Sequence, residues 1–401
     1  MNAPTQAPLI EPSRELRDTC AIVGAATSRL GKVPGTSALD LMVEAIRHAL
    51  DDAGLKASDV DGVLCRGPDD SYSHHQLVAE RLGVNARFST TLTNGGASQI
   101  LSVALAVMAI RFGLAKTIVC GFARDTWSRT HANEEVRVRN ETRPDSMLAS
   151  EFAPEYGYFG ATGAHAFGAT RHMHLYGTTR DHFGEIAVAF REHALRNPQA
   201  QMKKPLTIED YHAGRLIVAP FGIYDCSLRS DAAGAVIVTS AARAKDLRQP
   251  PVLIKGFGAH NNTRGWFADD NMVVTAAKQA GEAAYRMAGL GPQDIDTAQI
   301  YDCFTYMVLT QLEDYGFCKK GEGGPFVASG ALRLGGALPC NTSGGQLSES
   351  HCEGMLQIVE GVRQMRHTYP QHRQVKDAEI ALISGHGGNQ VCHSTLILGR
   401  A

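Results

Sequence analysis

Six positions around one helix-to-strand turn match at a second place in this chain, five of them identically and one as valine against isoleucine. Ala53, Gly54, Leu55, Asp59, Val60 and Asp61 recur as Ala288, Gly289, Leu290, Asp294, Ile295 and Asp296, a constant offset of 235 positions. Each set stops a helical pattern at a glycine and opens an apolar run behind an acidic turn. Ahead of the first set, Ala38 to Ala53 spaces Leu41, Ala45 and Ala49, and Met42, Ile46 and Leu50, at helical intervals; Met272 to Met287 holds the same place ahead of the second. Two ordinary turns alike by coincidence are the alternative. The shared helix, stop and turn favour an internal duplication of an α/β unit.

The first copy alternates strands and helices. Strands are expected at Thr19 to Ala26, Val60 to Leu64, Phe88 to Thr93 and Lys116 to Cys120, with helices at Ala38 to Ala53, Gln76 to Leu82 and Ala97 to Arg111. Such alternation implies a mostly parallel sheet covered by helices. From 123 to 230 the pattern turns irregular, which reads as an insertion. It returns with a strand at Ala232 to Thr239 and a second series from Val252 to Leu398. The expected organisation is a first half at 19–122 and 231–250, an inserted segment at 123–230, and a second half at 251–401.

At 401 residues and 44% apolar composition the chain can bury a full core. Thirty-nine basic against 41 acidic residues, a formal charge of −2, leave no basic run to track a phosphate backbone, so nucleic acid is not an expected partner. The most apolar stretch, Ile100 to Ile110, is too short to span a bilayer. With no apolar run behind a basic flank at the N-terminus, a cytoplasmic chain is expected. Nine cysteines without a C-x-x-C pair suggest reduced thiols rather than a disulfide framework or zinc ribbon. His165, His172 and His174 lie close together but lack an acidic or cysteine companion nearby, so no metal site is expected.

Three stretches carry a resemblance: MKKPLTIEDY at Met202 to Tyr211, YDCSLRSDAAGAVIV at Tyr224 to Val238, and YDCFTYMVLTQLEDYGFCKKGEGG at Tyr301 to Gly324. With the duplicated halves, they resemble the thiolase superfamily, in its sterol-carrier-protein thiolase and lipid-transfer-like branch. The resemblance implies a thiolase-like α/β fold: two βαβαβαββ halves in α-β-α-β-α layers, with a loop domain inserted in the first half. It also implies a homodimer joined near Phe88 to Asn94, acyl-CoA substrates with no separate cofactor, and for some relatives a small zinc-ribbon and oligonucleotide-fold partner.

Thiolases hold a nucleophilic cysteine at the start of a buried helix. The matching turn here is Asn94-Gly95-Gly96-Ala97-Ser98, and the nucleophile position falls on Gly96. Ser98 is nearby, with a capping or helix-facing role as its ordinary reading. The second family cysteine maps to Ser384 to Gly388, where no cysteine stands; His386 and Gly387 are assigned there to an oxyanion or substrate-binding role, with Gly96. His351, after the Gly344-Gly345 loop, matches the family histidine expected at a helix start. Tyr301 stands where the family has asparagine or histidine. Both are candidate catalytic residues, with a structural histidine and a packed strand-end tyrosine as the alternatives.

Without a nucleophile an acyl-enzyme route fails. Retro-aldol cleavage of a β-hydroxyacyl-CoA needs only a base and an oxyanion donor, and the pattern resembles thiolase-like aldolases of steroid side chains, which use two tyrosines at the positions of Tyr301 and His351. Which of the two is the base stays open. An acyltransferase using Cys303, Cys318 or Cys352, and a non-catalytic CoA-ester-binding subunit, are the competing readings. Arg124, His131, Arg137, Arg139 and Arg143 could suit CoA phosphates or simply form a solvated face.

Overall fold

A computed structural model describes residues 14–68, 73–132, 160–262, 272–388 and 390–401. Eleven strands are described, β1 (Cys20–Thr27), β2 (Gly62–Arg66), β3 (Phe88–Thr91), β4 (Thr117–Asp125), β5 (Leu216–Val218), β6 (Phe221–Gly222), β7 (Asp231–Ser240), β8 (Val252–Asn261), β9 (Thr297–Gln299), β10 (Ile380–Gly387) and β11 (Cys392–Arg400). The longer helices are α1 (Ala38–Ala53), α2 (His74–Leu82), α3 (Ser98–Arg111), α4 (Gly160–Tyr176), α5 (Arg180–Arg196), α6 (Ala277–Ala288), α7 (Thr305–Asp314) and α8 (Met355–Met365).

Nine strands form one sheet in the order β3-β2-β4-β7-β1-β8-β11-β10-β9. The order holds the duplication. Outward from the centre, β1, β7, β4 and β2 pair antiparallel, antiparallel and parallel; β8, β11, β10 and β9 pair in the same sequence of senses. β3 extends the first half in parallel, and an isolated parallel bridge from Ala298 to Cys340 takes the corresponding place in the second. The halves meet where β1 pairs with β8.

The repeated residues perform the same tasks twice. Gly54 and Gly289 close α1 and α6 in the left-handed conformation, at φ 73° and 64°. The Asp61 carboxylate accepts the N–H groups of Lys116 and Thr117 at the start of β4, and that of Asp296 accepts those of Glu379 and Ile380 at the start of β10.

Helices α3 and α8 contact strands of both halves and are buried around most of their circumference, as a middle layer requires. Helices α1 and α6 cover the outer faces of β1 and β8. The inserted segment differs from its expected irregularity. β4 runs on to Asp125, and two 17-residue helices, α4 and α5, follow among the described residues. Three glycines and three histidines in α4 hide its helical pattern in the sequence; at Gly168 a Cβ would come within 3.0 Å of the Tyr306 ring. Helix α5 packs on α7 and on the short helices at 323–328 and 345–348, so the insertion is anchored on the second half.

Candidate active site

The loop from Asn94 to Ala97, the chain after β9, the loop before α8 and the end of β10 converge at one point. Gly96 lies in the 3-10 turn that leads into α3, and its φ is ordinary, so space alone demands glycine. A Cβ at this position would stand 2.6 Å from Tyr301 Cζ, and nearer still to Tyr301 Cε2 and the His386 carbonyl oxygen. The Tyr301 ring therefore fills the volume that a side chain at position 96 would enter. A Cβ at Gly354, at the start of α8, would lie 3.3 Å from Cδ2 of the same ring.

The Tyr301 backbone is held from two sides. Its N–H donates to Ser384 Oγ at 2.9 Å, its carbonyl accepts from Gln311 Nε2 at 2.9 Å, and Ser384 Oγ donates to Gln311 Oε1. Next in the chain, the Asp302 carboxylate accepts the N–H groups of Gln346 and Leu347 and the Gln357 amide, tying this segment to the loop before His351. Burial raises Asp302 to about 6. The Tyr301 phenol is held well above its ordinary value, by burial first and then by the Glu353 carboxylate. It stays protonated across the physiological range, and no described residue is seen bonding its hydroxyl.

His351 sits in a loop four residues ahead of α8 rather than in the helix, a correction to the expected helix start. Gly354 adopts φ 85° at the helix cap, which interrupts the helix after His351. The His351 backbone N–H donates to Ser230 Oγ. Its Nδ1 lies 3.2 Å from the Leu228 carbonyl oxygen and 3.3 Å from Ser227 Oγ, and its Nε2 lies 3.2 Å from Arg124 Nη1. A carbonyl requires a proton on Nδ1 and a guanidinium requires a lone pair on Nε2, so one neutral tautomer is selected. Burial and the Arg124 charge hold its pKa well below the ordinary value.

Arg124, Glu353 and Arg66 complete this side. Arg124 Nη1 is 3.2 Å from Glu353 Oε1, and Glu353 Oε2 pairs with Arg66 Nη1, while the Arg66 guanidinium lies 5.1 Å over the Phe122 ring. Arg124 thus faces His351 rather than a solvated surface. Arg66 and Glu353 were not singled out in the sequence. Glu353 carried a signal, an acid two residues after the candidate histidine; Arg66, a single arginine at a strand end, carried none.

His386 turns its carbonyl toward Gly96 and its ring away, edge-on to Tyr301 at 5.5 Å between centroids. Both ring nitrogens are engaged, Nδ1 with His393 Nε2 at 2.9 Å and Nε2 with His165 Nε2 at 3.1 Å. Gly387 packs backbone to backbone on Asn94 and Gly95. Ser98 Oγ accepts the Asn94 N–H, the capping-type role that was its ordinary reading. His172 turns instead to Glu313 and Thr178. Arg137, Arg139 and Arg143 lie outside the described residues.

The thiols do not replace the missing nucleophile. Cys352 donates to the Phe122 and Ala232 carbonyls, and burial raises its pKa; burial likewise raises Cys303, and raises Cys318 to about 12.

Residues 20–217 match the thiolase N-terminal domain and residues 258–400 the thiolase C-terminal domain-like family. The chain belongs to the thiolase superfamily. Within it, the chain is 36% identical to a steroid side-chain-cleaving aldolase from Thermomonospora curvata, over 96% of this chain and 98% of that protein. It is 37% identical to a 17-hydroxy-3-oxo-4-pregnene-20-carboxyl-CoA lyase from Mycobacterium tuberculosis, over 96% and 100%. A solved structure described as Ltp2-ChsH2(DUF35) aldolase matches at TM-score 0.86 and 36% identity, covering 96% of this chain and 98% of that one. Human mitochondrial 3-ketoacyl-CoA thiolase, at TM-score 0.71 and 16% identity, shares the fold. No helix among the described residues is long and apolar enough to cross a membrane.

Proposed function

We propose that this thiolase-superfamily enzyme is a lyase that cleaves a β-hydroxyacyl-CoA by retro-aldol chemistry, on a substrate of the steroid side-chain class named for its relatives. The observation that carries this reading is the Tyr301 ring in the space of a side chain at position 96. An acyl-enzyme has no atom to form on there, and a protonated phenol stands in its place.

The neutral His351 supplies the base. Substrate displaces Arg124 from Nε2, Arg124 stays on Glu353, and Nε2 takes the proton of the β-hydroxyl. The Cα–Cβ bond then breaks, a carbonyl forms at Cβ, and the electron pair passes into the thioester as an enolate. Tyr301 donates a hydrogen bond to the enolate oxygen, where negative charge develops. Water protonates the enolate at Cα, the shortened acyl-CoA leaves, and the hydroxide formed takes the proton from His351, which restores the neutral base.

A small partner protein of the kind implied by the two-component name of the structural relative, and a homodimer formed through the β3 edge, belong to the same reading. The test is an assay for ketone or aldehyde release from a β-hydroxyacyl-CoA, using the chain alone and co-expressed with such a partner. Tyr301→Phe and His351→Ala are each expected to lower turnover about 100-fold or more. Full activity in both variants, or an acyl adduct on Cys303, Cys318 or Cys352 by mass spectrometry, overturns the proposal.

A further inference from the structure

His165 from the insertion, Cys303 from the chain after β9, and His386 from β10 bring ligand atoms within 4.8 Å of one another. The two imidazole Nε2 atoms are 3.1 Å apart. Tetrahedral zinc with nitrogen bonds of about 2.0–2.1 Å and sulfur bonds of about 2.3 Å separates two nitrogens by about 3.4 Å and a nitrogen from a sulfur by about 3.6 Å. The nitrogens need to open by only a few tenths of an ångström, and the Cys303 sulfur, within 4.8 Å of the ligand nitrogens, needs to close by about 1.2 Å at most.

The surroundings are those of a ligand set. The His165 Nδ1–H donates to the Ala161 carbonyl at 2.7 Å, which leaves Nε2 as a lone pair. His386 Nδ1 faces His393 Nε2 at 2.9 Å, so a proton on Nδ1 donates to His393 and frees the second Nε2 lone pair. The outward nitrogen of each ring thus has its own orienting partner, which fixes ring direction and tautomer at metal sites. All three histidines are buried, and Phe304 packs on the His165 ring at 4.7 Å.

We propose that His165 Nε2, His386 Nε2 and Cys303 Sγ bind one soft divalent cation of the zinc class, with a fourth tetrahedral position left for water or a substrate oxygen. Binding displaces the Cys303 thiol proton to solvent, moves the His386 proton from Nε2 onto Nδ1, and moves the His393 proton from Nε2 onto its own Nδ1, so that His393 Nε2 accepts and charge and protons balance. The site departs from the metal-free expectation because its ligands come from three distant segments, not from the cluster at 165, 172 and 174. It lies against the Tyr301 ring through His386 and joins the inserted segment to the second half.

Binding is measured without turnover, so its failure leaves the lyase reading untouched. The full-length chain is stripped with a chelator and titrated with Zn²⁺ by calorimetry and with Co²⁺ by absorption. The expected result is one ion per chain and, with cobalt, tetrahedral visible bands plus a thiolate charge-transfer band. Cys303→Ser should abolish that band, His165→Gln should weaken affinity at least 100-fold, and His393→Gln about 10–100-fold. Cys318→Ser should change nothing. Far-UV circular dichroism verifies that each variant is folded. A folded wild-type chain that shows no cobalt spectrum, or a charge-transfer band that survives Cys303→Ser, overturns the proposal and leaves a hydrogen-bonded histidine chain in its place.

Discussion

A methyl group added at Gly96 would have to enter the Tyr301 ring on one side and the His386 carbonyl on the other. Neither yields easily, since Tyr301 is pinned through Ser384 and Gln311 and His386 lies in a paired strand. Gly96→Ala is therefore expected to cost about 1–3 kcal/mol of stability, read from denaturant midpoints. It should also cut cleavage about 100-fold by shifting the phenol out of line. Unchanged values would mean that the ring has room to move. His351 yields a pH prediction. Burial and Arg124 depress its pKa, so the free base persists well below pH 6.5, and no activity loss near 6.5 should arise from it. Wild type and His351→Gln should show the same acid limb in kcat/KM, the variant only lower. A limb near 6.5 present in wild type and absent from the variant would contradict the assignment. The gap at Gly96 was legible in the sequence, by counting along α3 to its end. Its occupant was not, because Tyr301 arrives from 205 positions away and only the folded chain shows which ring fills the space.

At the scale of elements, the twin aspartates offer a matched pair of tests. Asp61 and Asp296 each accept two backbone N–H groups where a strand begins. Replacing either by alanine leaves those donors to water, at an expected cost of about 1 kcal/mol each. The double variant should lose the sum, since the residues serve different halves. Unequal or strongly coupled losses in urea titrations would argue against equivalent roles. The loop that carries His351 has its own pH response. Glu349 accepts from Asn197 and Ser343, and burial, with the Glu360 carboxylate next, raises it to about 7. The unfolded chain releases this proton near pH 4.5. The contribution is thus complete below 4.5 and lost as pH rises through 7. Glu349→Gln retains an acceptor for Asn197 and removes the titration. Relative to wild type it should gain about 2–3 kcal/mol between pH 5 and pH 8, and a constant difference would refute the link. The elements themselves were legible where apolar spacing and glycine stops agree, as in α1 and α6. Helices α4 and α5 were not, because glycine and histidine in α4 weaken its pattern and the helix forms by packing on α7 and its neighbours.

For the whole molecule, the sheet ends on one side in a four-residue edge strand with a specific chemistry. Among the described residues the sheet ends at β3, whose residues are only partly covered. The N–H groups of Phe88 and Leu92 turn inward to the carbonyls of Asp61 and Cys65. By the two-residue period of a strand, those of Ser89 and Thr91 face away from the sheet. Ser89 is exposed and Thr91 half-buried, so Ser89 is the more open of the two donors. An unpaired edge of this kind invites another strand, and a second copy of β3 across a two-fold axis satisfies it symmetrically. Ser89→Pro removes an outward N–H while the inward ladder to β2 keeps its donors. Sedimentation velocity is expected to show wild type as a dimer and this variant as a monomer of half the mass, with unchanged far-UV circular dichroism. The loop from Asn94 to Gly96 follows three residues after β3, so loss of the dimer should also loosen Tyr301 against Gly96 and lower cleavage. A variant that remains dimeric and fully active would place the interface elsewhere and uncouple it from the site.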